Sequence, residues 1–328
     1  MEQKKLSELE PGNVNEGIYR ITGFTKQAMA NGSDMARFTL SDVSGQLGAV
    51  EFDVNSQNLV NEEKLQPAGF GQVRFVVDDH AKYGRQAKVS FIQGLNTSEV
   101  PNLEQLIPAI PNRQENFEEL LQLARGIENP GYRAVACYTL EKFGKKLVDL
   151  PAAKAMHHDR LGGWVFHTLR MARSGKALCP IYPELDESLL LCGIILHDLG
   201  KFAEFQTDQT GLVADYTLGG ALLSHLILGP MMLQKIRDEM KHAQNEGEPA
   251  AQLTNNQYYA LLHILESHHG RPEYGSPVRP MFMEAMVIHY LDQIDAKIWK
   301  FAVEEEKLEP GELSARSDRS LDTRIWRP

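Results

Sequence analysis

Through residues 1–95 apolar positions recur at every second place. Ala36, Phe38 and Leu40 alternate with Arg37 and Thr39, and Val73, Phe75 and Val77 alternate with Gln72, Arg74 and Val76. That period belongs to strands with one buried face. Asn31-Gly32, Ser44-Gly45 and Tyr83-Gly84 punctuate the runs and mark turns. About five short strands without an intervening helix predict a small closed barrel. Residues 96–115 break the alternation, with Pro101, Pro108 and Pro111 among polar side chains, and read as a linker. From Glu115 the period becomes helical: Phe117, Leu120, Leu121 and Ala124 share one face. Further helices are expected near 131–148, 162–178, 186–197, 218–243, 254–268 and 280–305. Thr254 and Gln257 have capping-box spacing ahead of the apolar run from Tyr258 to Leu265. An all-α domain is expected over 116–310, followed by a polar tail, 311–328, that ends in LDTRIWRP with Trp326 as an isolated aromatic. The fold class is multidomain: a small N-terminal β-barrel and then a helical bundle.

Composition narrows the class. With 328 residues, 42% apolar and 24% charged, the chain is of ordinary globular make-up. Its apolar run Leu189 to Leu196 is far short of the ~20 residues that span a bilayer. The opening MEQKKLSELEPG offers no apolar leader, and three scattered cysteines, Cys137, Cys179 and Cys192, form neither a disulfide framework nor a CxxC metal site. A cytoplasmic protein that does not engage membranes is expected. A net charge of −10, from 34 basic and 44 acidic residues, excludes coating of nucleic acid by bulk positive charge.

Histidine changes the picture most. Ten of eleven lie between His157 and His289, and the other is His80. The pair His197-Asp198 ends the apolar helix LLLCGIIL and is followed by Leu199-Gly200-Lys201. An imidazole nitrogen beside a carboxylate oxygen suits Mn²⁺, Fe²⁺, Zn²⁺ or Mg²⁺ rather than a thiolate metal site. His167, His225, His268-His269 and Asp292 each sit on a separate expected helix, so they can converge at the centre of a bundle. Any one of them alone is better explained as a core histidine; the ordered set is what carries the metal reading.

That order, His, then His-Asp, then His, then His-His, then Asp, resembles the HD superfamily of metal-dependent phosphohydrolases. The stretches 151–172, 182–205, 218–229 and 267–297, and the closing LDTRIWRP, look like those of the bacterial YhaM-type 3′–5′ exoribonucleases, in which an OB-fold precedes the HD domain. The resemblance implies a metal-dependent 3′–5′ exoribonuclease acting on single-stranded RNA, with single-stranded DNA as a further substrate. It also implies His167, His197, Asp198 and Asp292 as the core metal set, extended by His225 and His268 to a second ion. Mn²⁺ is favoured as the metal. Two cations ~3.5–4 Å apart clamp an in-line phosphoryl displacement, and a carboxylate such as Asp198 can bridge them. His269 competes with His268, and Asp295, three residues after Asp292, is the alternative last ligand. Lys201 either binds the scissile phosphate, as the HDxGK pattern implies, or merely complements a helix dipole. Asp198 and Lys201 are thus the catalytic candidates.

His158 and Arg271 are candidate substrate contacts, and His289, three residues before Asp292, a candidate outer partner of the metal set. His157, His242 and His263 read as structural or surface residues. In the barrel, Phe38 and Phe75 belong to the core by their alternation. The hairpin HAKYGRQAK offers Lys82, Tyr83, Arg85 and Lys88 for strand binding, and Arg20, Lys26 and Arg37 are expected along one face. Against that, residues 1–95 hold 10 basic and 12 acidic residues, a net of −2. The rival enzyme reading is a nucleotide or cyclic-nucleotide phosphohydrolase whose barrel is an interaction module. A third is a nucleic-acid-binding factor with an inactive HD domain, which the intact ligand series disfavours. Homo-oligomerisation is left open.

Overall fold

The computed structural model describes residues 3–29, 33–52, 58–66, 68–80, 84–153, 160–208, 210–245, 252–315, 317 and 321–328. It divides into two compact units: Met1–Ala109 with Thr207–Ala214, and Ile110–Gln206 with Asp215–Pro328.

The first unit is an OB-like barrel of five main strands with a two-residue sixth at the edge. Its strands are β1 (Val14–Ala28), β2 (Asp34–Asp42), β3 (Gly45–Glu51), the two-residue β4 (Leu59–Val60), β5 (Ala68–His80) and β6 (Gly84–Leu95), in the order β3-β2-β1-β5-β6-β4. A parallel pairing of β3 with β6 closes the ring. β1 serves two neighbours, pairing with β5 over Val14 to Thr22 and with β2 over Arg20 to Ala28. Its register shifts between Thr22 and Thr25, around Gly23 at φ 63°, a left-handed conformation that a side chain would oppose. The alternating residues fill the barrel as expected: Ala36, Phe38, Leu40, Val73, Phe75 and Val77 are all buried. Tyr19 meets Phe75 edge-on at 5.6 Å, and Phe24 stacks on Phe38 at 5.5 Å. The unit runs past residue 95 because Val43 N–H donates to the Gln105 carbonyl (3.1 Å) and Val100, Leu106 and Ile107 are buried.

The helical unit comprises α1 (Arg113–Arg125), α2 (Pro130–Leu147), α3 (Gly163–Leu178), α4 (Glu187–Leu196), the single turn α5 (Lys201–Glu204), α6 (Leu218–Asn245), α7 (Asn255–Ser267) and α8 (Met283–Glu305). Caps set several starts. Asn129 accepts from Gly131 and Tyr132 N–H ahead of Pro130, Asp186 accepts from Leu189 N–H, and Thr254 with Gln257 forms the expected capping box. α4 is buried on every face from Leu189 to Leu196 and packs against α1, α2, α3, α7 and α8. It is the axial helix of the bundle, and it delivers His197-Asp198 to the bundle's centre.

Two features depart from the sequence reading. A hairpin, β7 (Phe205–Thr207) and β8 (Val213–Tyr216), follows α5 where no strand was expected. The helix expected over 218–243 is interrupted at Ser224, whose φ of 55° and ψ of 169° leave the helical region. Among the described residues no helix is long and apolar enough to cross a membrane.

Candidate metal centre

The interruption at Ser224 positions a ligand. A non-glycine residue at that φ is strained, of order 1–3 kcal/mol. It frees the next N–H from the helical ladder, and His225 N–H donates instead to Glu204 Oε1 at 2.9 Å. The same carboxylate lies 3.1 Å from His225 Nδ1 through each oxygen. Glu204 is buried, and α5 reaches α6 only because Gly200 is a glycine: a Cβ there would stand 2.1 Å from the His225 carbonyl oxygen.

Other imidazoles are oriented by the same device. His197 Nδ1 donates to Ile194 O (2.7 Å), His268 Nδ1 to Leu265 O (2.9 Å) and His269 Nδ1 to Tyr274 O (2.9 Å). His167 Nδ1 meets Asp295 Oδ2 at 2.7 Å, and Arg170 Nε holds the other Asp295 oxygen at 2.8 Å. A hydrogen bond at Nδ1 leaves Nε2 as the coordinating atom. Five histidines therefore turn Nε2 inward.

Their ligand atoms fall into two trios, His167, His197 and Asp292, and His225, His268 and His269. Asp198 lies between them. Its Oδ2 is 3.3 Å from His197 Nε2 and 4.0 Å from His167 Nε2, while its Oδ1 is 3.7 Å from both His225 Nε2 and His268 Nε2. Asp292 Oδ1 is 3.3 Å from His167 Nε2. Lys201 Nζ rests on Asp198 Oδ2 at 2.6 Å.

This donor set fits divalent metal. His197 Nε2, His268 Nε2 and Asp198 Oδ1 are buried without a hydrogen-bond partner, which is costly unless a ligand completes them. His225 Nε2 and His269 Nε2 face one another at 3.2 Å with both Nδ1 atoms already donating, so two lone pairs meet where a cation belongs. Nitrogen and carboxylate donors without thiolate suit Mn²⁺, Fe²⁺, Zn²⁺ or Mg²⁺.

The electrostatics agree. Burial opposes charge on Asp198, but Lys201 and His197 hold its carboxyl well below the usual range. Burial alone would lower Lys201; Asp198 keeps it charged, above its ordinary value. Asp292 is likewise held low against its burial, by His167. Burial and neighbouring imidazoles push His268 well below 6.5 and His269 below it, so both stay neutral and able to coordinate.

The structure thus gathers His167, His197, Asp198, His225, His268 and Asp292, with Lys201, at one centre. It distributes the two sequence ambiguities rather than choosing between them. His269 stands beside His268 in one trio, whereas Asp292 faces the centre and Asp295 backs His167. Glu204 and Arg170 were not singled out from the sequence; Glu204 lies three residues after Lys201 but carries no motif of its own. His289 Nδ1 donates to the His268 carbonyl (2.8 Å), and His263 Nε2 accepts from Met281 N–H (3.0 Å). Arg271 is exposed at the turn Pro272–Tyr274. His157, His158, Lys82 and Tyr83 lie outside the described residues. In the barrel, Arg85 donates to the Leu9 carbonyl and Lys88 pairs with Asp78 at 2.9 Å. Of the cations expected along one face, Arg37 is exposed and Lys26 pairs with Glu62, but Arg20 is buried against Asp208 at 2.8 Å. That correction follows from Asp208 belonging to the barrel unit, 188 positions away in sequence.

A helical domain that converges histidines and an HD pair on one centre, carried behind an OB-like barrel, defines an HD-domain phosphohydrolase. The HD domain family matches residues 165–297. The 3′–5′ exoribonuclease YhaM of Geobacillus sp. (strain WCH70) is 31% identical over 315 residues, covering 95% of this chain and 91% of its own. The 3′–5′ exoribonuclease YhaM of Bacillus licheniformis is 32% identical over 298 residues, covering 90% of this chain and 89% of its own. The chain belongs to the YhaM family. Among solved structures, RecG bound to a three-way DNA junction aligns over 94% of this chain and 40% of that one, at 14% identity and a TM-score of 0.24, and says nothing of function.

Proposed function

We propose that this chain is a metal-dependent 3′–5′ exoribonuclease that hydrolyses the phosphodiester bonds of single-stranded RNA, and of single-stranded DNA as a secondary substrate. The observation that carries the reading is the pair of ligand trios on either side of Asp198. His167, His197 and Asp292 would hold one divalent cation and His225, His268 and His269 a second, with Asp198 between the two trios. Mn²⁺ is the favoured ion. The bound cations supply Lewis-acid stabilisation of a phosphoryl displacement and water of lowered pKa. Asp198, kept ionised by Lys201, supplies negative charge to both. Lys201, kept charged by Asp198, offers a fixed cation to a non-bridging phosphate oxygen. Glu204 and Asp295 fix the rings of His225 and His167, which limits reorganisation when substrate arrives.

We place strand binding on the barrel. A cleft of about 440 Å³ is lined by Arg37, Gly48, Val50, Phe52, Gln86 and Lys88. Phe52 is half exposed and offers a stacking face, with two cations beside it for phosphate. His158, Arg271, Lys82, Tyr83 and Arg85 remain proposed contacts. A cytoplasmic location suits an RNA substrate and the free thiols of Cys137, Cys179 and Cys192.

The test is an oligoribonucleotide labelled at its 5′ end and another labelled at its 3′ end, run beside a panel of nucleotides and cyclic nucleotides, with Mn²⁺ and with chelator. A ladder shortening from the 3′ end, abolished by chelator and restored by Mn²⁺, is expected. Turnover of mononucleotides with the strands left intact would favour the nucleotide-phosphohydrolase reading instead.

A further inference from the structure

α8 has two apolar faces. Ala285, Ile288 and Leu291 are buried in the bundle, on the side that also carries Asp292 and Asp295. On the other side Met283, Met286, Tyr290, Ile294, Ile298 and Phe301 are exposed, from 36% to 57% each. Their spacing of three and four keeps all six on one stripe of the helix. At roughly 190 Å² for a fully exposed side chain of this size, they present roughly 550 Å² of apolar surface. That is large for a patch left in water.

The stripe is its own mirror image. About Asp292, Tyr290 reflects onto Ile294, Met286 onto Ile298 and Met283 onto Phe301. Two copies of α8 laid antiparallel, with the two-fold axis at that level, therefore set each of these six side chains against another of the six, and exposed Lys297 on the same stripe against Val287. Burying the stripe on both copies removes roughly 1,100 Å², just above the ~1,000 Å² expected of a biological interface. We infer that the enzyme is a two-fold symmetric dimer joined through the outer face of α8. A closed, isologous contact of this kind uses the same patch twice and leaves nothing over for further growth. The inference does not depend on what the enzyme cleaves.

Sedimentation of the full chain is expected to give a dimer, and Ile294→Glu a monomer with unchanged circular dichroism, because Ile294 is 52% exposed. Under oxidation, Met286→Cys combined with Ile298→Cys should give covalent dimers that neither change gives alone. A monomer at the highest soluble concentration, an assembly that survives Ile294→Glu, or a cysteine pair that fails to cross-link would each overturn the inference. The first of these outcomes would assign the stripe to a different partner.

Discussion

His167 must give up a proton before it can hold a cation. Burial resists charge on its ring, but the hydrogen bonds and charges of Asp292 and Asp295 outweigh burial and lift its pKa to about 9. At pH 7 the metal-free ring is therefore protonated, and loading releases that proton. Apparent metal affinity should climb roughly tenfold per pH unit until about pH 9. Titration calorimetry in buffers of different ionisation enthalpy would show the proton; affinity independent of pH would contradict the pairing. Without metal the shift also stabilises the fold. That contribution is complete below the ordinary value of 6.5 and is lost as pH rises through about 9. Lys201 is a separate case, since its ammonium holds Asp198 and is no metal ligand itself. Lys201→Ala is expected to lower turnover by the order of 10²-fold, the worth of one preorganised charge, while elemental analysis still finds metal. At this scale the side chains that the structure gathers were legible in the sequence because their type and order match a known family pattern. The division of labour between Asp292 and Asp295 was not. Residues three apart share a helix face, and only the ring nitrogen of His167 that each meets, Nε2 for Asp292 and Nδ1 for Asp295, separates the inward carboxylate from the outer one.

The break in α6 at Ser224 is held by Glu204, and both consequences can be measured. Glu204→Gln keeps an acceptor for His225 N–H but loses the charge beside Nδ1; Glu204→Ala loses both. Metal affinity at the trio of His225, His268 and His269 should fall about 10–100-fold, more for alanine than for glutamine, with the His167 trio still loaded. Metal content after dialysis would read this directly, and equal loss from both trios would contradict it. Gly200→Ala pushes a methyl into the His225 carbonyl and should cost at least about 2 kcal/mol in denaturant unfolding. Gly48→Ala, with nothing within 4 Å, is the control and should cost almost nothing. The long helices could be read from the sequence because a buried face repeats at their period. For α4 the clue was a run too apolar to lie anywhere but inside. The kink, the single turn α5 and the hairpin after it could not be read. The segment LGGALLSHLILG has an unbroken helical pattern, and only contact with Glu204, from a different part of the chain, favours a left-handed serine within it.

All the proposed ligands belong to the helical unit, so metal should report on that unit. Cations at 1,000 times their Kd add ~4 kcal/mol to whatever binds them. In calorimetry, chelator is expected to lower the melting of the helical unit and leave the barrel's transition where it was; an equal shift of both would contradict this. Residues 207–214 group with the barrel across a gap in the chain that no local sequence pattern bridges. The wide spacing of the ligands has a different consequence. His167 and Asp292 share one trio although α4, α5, α6 and α7 lie between them in the chain. No partial product of translation can therefore complete that trio before α8 has left the ribosome. A growing chain therefore lacks that trio for as long as the codons of α8 remain unread, a delay written into the order of its helices.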